Sequence, residues 1–134
     1  MIERWKALFR KEPQPSLQLQ REALVDLLLL GMYTDRLLSV AEADLLEAKL
    51  LDLPWESGQA LSIYLQVNMP KIRMAYEHLP TRLQLLQSIR DRLATPESRQ
   101  SAYQKLQEFL AIDGVAGDEQ EFLTQVRTVF GVVA

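Results

Sequence analysis

The side chains that could do chemistry in this sequence are carboxylates, and they gather where helices are expected to begin. Glu42 and Asp44 form one such group, and Asp118, Glu119 and Glu121 another. Neighbouring carboxyls are the raw material of general acid–base catalysis, one ionised and one holding a proton. A helix start offers them a plainer role, because its exposed amides and its dipole both favour negative charge. The plainer role is the expectation, and the chain is read as a non-enzyme. There is no cysteine, and His78 is the single histidine. It stands just before Leu79-Pro80, at a helix end, and is expected to face solvent. No serine or lysine occupies a nucleophile motif. Gly114 and Gly117 follow a helix and not a strand, so they do not form a phosphate loop.

These residues must be positioned by an ordinary globular chain. It has 134 residues, 48% hydrophobic and 25% charged, enough for one domain with a substantial core. A net charge of -3 supplies no basic field for a phosphate backbone, so no nucleic-acid partner is expected. The lack of cysteine removes disulfides, zinc fingers and iron–sulfur clusters. No apolar signal core runs through residues 1–12. The longest apolar stretch, Leu27 to Tyr33, is far short of the roughly 18 residues of a membrane span. A cytoplasmic location is expected. Lys71, Arg73, Arg82, Arg90, Arg92 and Arg99 concentrate positive charge in the middle of the chain. They are expected to be a solvated face, with an anionic partner as the sharper alternative.

Hydrophobic periodicity gives helices throughout. Residues 1–12 make a short amphipathic helix, with Met1, Ile2, Trp5, Leu8 and Phe9 on one face and basic flanks. Pro13 and Pro15 set off a linker, 13–15, from the main domain, 16–134. The short helix is expected to dock on the core in cis. Dimerisation in trans and peripheral contact with a membrane surface are the alternatives. Ser16 to Tyr33 is apolar nearly all round, which suits the middle of a bundle. Asp26 interrupts that run and must be paired, hydrated or at the bundle edge. Ser39-Val40-Ala41-Glu42 is a capping box that opens a second helix, which Pro54 ends. Residues 56–79 form a third, which Pro70 should kink or split. A fourth starts near Pro80-Thr81. Thr95-Pro96-Glu97 is an N-cap, a first-turn proline and a first-turn acid, starting a fifth. A last helix begins near Asp118. The expectation is an all-α bundle of six to seven helices.

The chain also matches itself. When Asp35 is set on Asp113, Leu28 falls on Leu106, Leu45 on Leu123, Ala48 on Val126 and Lys49 on Arg127, without gaps. Each copy has an aspartate where a helix ends and a small residue, Ser39 or Gly117, four positions on. This is the pattern of an internally duplicated helix–acidic loop–helix unit.

Those loops resemble the tellurite-resistance TerB-like family. The segment Ile112-Asp113-Gly114-Val115-Ala116-Gly117-Asp118-Glu119-Gln120-Glu121-Phe122-Leu123 is similar to the family's second motif. Tyr33-Thr34-Asp35-Arg36-Leu37-Leu38-Ser39-Val40-Ala41-Glu42 is similar to the first, and the resemblance covers about residues 16–133. It implies an all-helical duplicated fold, a non-enzymatic role in bacterial stress or tellurite resistance, and a divalent-cation site. Carried onto this sequence, the ligands would be Asp35 and Asp113, with Glu42 and with Glu119 or Glu121. Arg36 and Gln120 depart from the pattern, and Arg36 would bring its own positive charge in place of a cation. With only oxygen ligands on offer, the ion would be a hard one such as Ca²⁺, Mg²⁺ or Mn²⁺. The competing reading keeps the two aspartates as caps. The chain would then be a metal-free protein–protein interaction module, with Trp5, Phe9 and Trp55 as anchors for a protein partner.

Overall fold

A computed structural model describes residues 17–34, 61–111 and 117–132. Every regular element among them is an α-helix: α1 (Leu17–Met32), α2 (Leu61–Glu77), α3 (Leu79–Leu93), α4 (Pro96–Leu110) and α5 (Gly117–Phe130). The fold is all-α. The expected helices over residues 1–12 and from Ser39 to Pro54 lie outside the described residues, as does the start of the third at 56–60. None of the described helices is long and apolar enough to cross a membrane.

The helix that reads as apolar all round is the one the others enclose. Ala23, Val25 and Leu27 to Leu30 have no exposed surface, and α1 packs against α2, α3 and α4. The inward residues of the other helices complete the core: Leu86, Ile89 and Leu93 of α3, Tyr103, Leu106, Phe109 and Leu110 of α4, and Phe122, Val126 and Phe130 of α5. Gly31 lets α4 come close, since a Cβ there would stand 2.7 Å from Leu106 Cδ1.

Helix boundaries follow local chemistry. Thr95 Oγ1 accepts the Ser98 amide at 3.1 Å, Pro96 occupies the first turn, and Glu97 adds an acid there, as the sequence predicts. The α3 C-terminus turns through Ala94, whose φ of 69° is the left-handed region. The Arg99 guanidinium steadies that turn by donating to the Arg90 and Ala94 carbonyls. Pro70 does not split α2, which runs unbroken from Leu61 to Glu77. Pro70 and Gln66 are both on the exposed side, so the Gln66 carbonyl loses its amide donor but keeps access to water.

The packing fixes direction. Asp26 meets Tyr64, and further along both helices Tyr33 reaches the Met69 carbonyl, so α1 and α2 run parallel. Gln20 and Arg21 lie near Glu97 and Ser98, and Gly31 lies near Leu106 and Leu110, so α4 runs the same way. The tight turns on either side of α3 send it back the other way. One end of the bundle therefore gathers the C-termini of α1 and α2 and the N-termini of α3 and α5.

Candidate functional site

That end holds a cleft of about 770 Å³, lined by Tyr33, Arg73, Tyr76, Glu77, Arg82, Asp118 and Glu121. Tyr33 closes α1, where the Tyr33 and Thr34 amides turn back on the Leu30 and Gly31 carbonyls. Thr34 also places its hydroxyl on the Gly31 carbonyl at 2.7 Å, which satisfies a buried polar side chain at the helix exit. Asp118 and Glu121 lie in the first turns of α5, one helical step apart and so on one face.

Arg82 lines the cleft with them. Its Nε and Nη2 donate to the Tyr76 carbonyl at 3.0 and 2.7 Å, and its Nη1 donates to Gln125 Oε1 at 3.2 Å. Its guanidinium carbon lies 4.1 Å from the centre of the Tyr76 ring, a cation–π stack. The same ring meets Phe122 edge-on at 6.2 Å. One arginine thus ties the end of α2 and the start of α3 to α5. Burial pushes the Tyr33 hydroxyl above its ordinary pKa, and the nearby Arg73 charge partly offsets this.

A second polar cluster lies in the interior. Asp26, 5% exposed, accepts from the Tyr64 hydroxyl at 2.7 Å through Oδ1 and from Arg92 Nη2 at 2.9 Å through Oδ2. Burial raises its pKa above the ordinary carboxylate value, against the pull of Arg92 and of the Tyr64 hydrogen bond. The Tyr64 hydroxyl is also pushed up, by burial first and then by the Asp26 charge. This cluster pins α1 to α2 and α3. With both carboxylate oxygens held by protein donors, it is built to position helices and not to take a ligand.

The residues expected from the sequence divide accordingly. Glu121 lines the cleft. Glu119 is 4% exposed and turns into the protein, on the far side of α5 from Glu121. Asp118, grouped with the helix-start acids but not among the expected ligands, is the acid of α5 that shares the cleft with Glu121. Asp35, Glu42, Asp113, Trp5, Phe9 and Trp55 lie outside the described residues. His78 is exposed between α2 and α3, its Nδ1 3.1 Å from Thr81 Oγ1. Three of the arginines read as a solvated face instead make part-buried contacts with protein acceptors: Arg82 at Tyr76, Arg92 at Asp26 and Arg99 at the end of α3, whereas Arg90 pairs with Asp91 at the surface. Among the described residues no three acids or histidines stand close enough together to hold a metal ion.

No family model, curated protein or solved structure matches the chain.

Proposed function

We propose that this chain is a TerB-like helical protein that acts by binding and not by catalysis, in the manner of tellurite-resistance and stress-response proteins of bacteria. Its binding centre would be the cleft at the loop end of the bundle, with a hard divalent cation held by acids of the two loops. One observation carries the reading. Tyr33, which leads into Thr34-Asp35, and Asp118 and Glu121, which follow the Asp113 loop, line the same cleft. The two acidic loops thus leave and enter the helices at one place. Glu121 and Asp118 would supplement Asp35 and Asp113, and the ion would neutralise carboxylates that otherwise repel one another.

The internal duplication, with six or seven helices in all, belongs to the same proposal. The register that sets Asp35 on Asp113 lays α1 onto α4 almost end to end, Leu17–Met32 against Pro96–Leu110. It lays the segment from Ser39, expected to be helical, onto α5.

A second reading has its own support. Arg73 and Arg82 line the cleft together with Glu77, Asp118 and Glu121, so two guanidiniums weaken the field of three carboxylates. Such a mixed wall suits a polar protein partner without a metal. One experiment separates the two: thermal unfolding of metal-stripped full chain, with and without millimolar Ca²⁺, Mg²⁺ or Mn²⁺. A ligand of the native state raises the midpoint by mass action. Cation binding predicts a rise in the wild type that disappears in Asp113→Ala and shrinks in Glu121→Ala. No rise with any of the ions overturns it and leaves the interaction module.

A further inference from the structure

Two arginines line the loop-end cleft, and the structure uses them differently. Arg73 is exposed, one helical turn before Glu77 on α2, and its charge reaches the Tyr33 hydroxyl. Arg82 is half-buried, and its guanidinium is engaged on three sides: two donors on the Tyr76 carbonyl, one on Gln125 Oε1, and its face on the Tyr76 ring. Both ends of that bridge stand next to acids of the cleft. Tyr76 immediately precedes Glu77 in the last turn of α2. Gln125 follows Asp118 by seven residues and Glu121 by four, so the three share one face of α5. Phe122, edge-on to the Tyr76 ring, backs the bridge from the same helix. α2 and α5 both pack against α3, and Arg82 reaches from α3 to each of them.

We infer, on the reading of this cleft as a cation site, that Arg82 is a positioning residue. It sets the gap across which Glu77 of α2 and Asp118 and Glu121 of α5 meet one ion. An arginine suits that task, because its planar fork presents donors in fixed directions and so fixes both the separation and the orientation of two helix ends. A lysine would hold one end at a time. The donors of Arg82 go to a carbonyl and an amide oxygen and leave the carboxylates to the ion. Groups behind the ligands of a metal govern its affinity by holding those ligands in place. Arg73 has the opposite effect: its charge acts from inside the cleft and weakens the pull of the acids on a cation. Charge alone predicts that removing either arginine strengthens cation binding. Positioning predicts opposite signs for the two.

The test is calorimetric titration of the metal-stripped full chain with Ca²⁺, Mg²⁺ and Mn²⁺ in turn, at a temperature where each variant is folded. Affinity is then read on the native state, and a loss of stability alone does not move it. Arg73→Gln should raise the affinity about threefold. Arg82→Gln should lower it about tenfold, although it too removes a positive charge. Arg82→Lys keeps the charge and loses the fork, and should also lower it. Gln125→Ala changes no charge and cuts one end of the bridge, so it should lower the affinity in the same direction by less. A rise in affinity with Arg82→Gln, like that with Arg73→Gln, overturns the inference and leaves the cation site standing. So does an affinity that both Arg82→Lys and Gln125→Ala leave unchanged. No binding of any of the three ions to the wild type overturns the cation reading and the role of Arg82 with it.

Discussion

Two regions of this bundle use carboxylates, tyrosines and arginines to opposite ends. In the interior, Asp26, Tyr64 and Arg92 close on one another, and each carboxylate oxygen has a protein donor. At the loop end, Glu77, Asp118 and Glu121 share a cleft with Tyr33, Tyr76, Arg73 and Arg82. There Arg82 is tied down, but its donors go to a backbone carbonyl and an amide instead of to the acids. What separates the two is solvent. A carboxylate deprived of water must be fully paired, whereas one at the surface can stay available. Carboxylates still available for a ligand are therefore to be sought at the cleft and not at buried Asp26.

The interior cluster should be the harder to disturb without loss. Asp26→Ala leaves the Tyr64 hydroxyl and the Arg92 guanidinium without their shared acceptor. It should cost about 3 kcal/mol of unfolding free energy, at the lower end for a broken buried pair because Arg92 retains some solvent contact. Urea titration at neutral pH would measure it. Replacing Asp26 and Arg92 together by apolar residues of similar size should cost less than Asp26→Ala alone, since no charge is then left stranded.

Acid titration gives the sign of the same effect. Burial holds the Asp26 carboxyl in the fold above its ordinary value of 3.8, so between the two values the folded state binds more protons than the unfolded chain. That contribution is fully present below the unfolded pKa and is lost as pH rises through the raised one. Asp26→Asn should flatten this part of the stability–pH profile. A profile that Asp26→Asn leaves unchanged would mean the carboxylate is solvated after all.

Arg82 comes next in size, because it belongs to the cleft but is built like the interior. Arg82→Ala should cost about 1–2 kcal/mol, from two hydrogen bonds to one carbonyl and a ring stack on a half-buried side chain. Tyr64→Phe removes one hydrogen bond from the interior cluster and should cost about 1 kcal/mol, most of it the unfilled Asp26 oxygen. If Arg82→Ala proved neutral, the cleft would lack a fixed wall and the contrast between the two regions would be complete.

The sequence stated the interior problem but not its answer. An aspartate in a run as apolar as Leu24 to Leu30 needs a partner. Tyr64 and Arg92 stand 38 and 66 positions away, however, and only the packing of three helices brings them in. Arg92 looked like surface for the same reason: a charge at a helical position carries no mark of what faces it. Local features were legible, among them the Thr95 cap and the apolar run that becomes α1, because they depend on neighbours within a turn or two. The loop-end cleft was half visible. Asp118 and Glu121 were noticed with Glu119 by their place at a helix start, but helical phase divided the three, turning Glu119 inward and pairing Asp118 with Glu121, and Glu77 at the end of α2 was not singled out. Its tyrosines and arginines come from the ends of three helices, with no local signal to join them.

The smallest expected effect is the most discriminating. Glu121→Ala and Asp118→Ala should each change stability by no more than about 0.5 kcal/mol. Both side chains are exposed, and what Asp118 contributes at the start of α5 is a solvent-screened interaction with the helix dipole. Chemical denaturation of both variants without added metal would measure it. A loss near that of Tyr64→Phe would mean the cleft acids are knitted into the fold as Asp26 is, and the distinction between held and available carboxylates would fail. A neutral result, joined to the loss of any ligand-induced stabilisation in the same variants, would mean that these acids serve binding and are dispensable for folding.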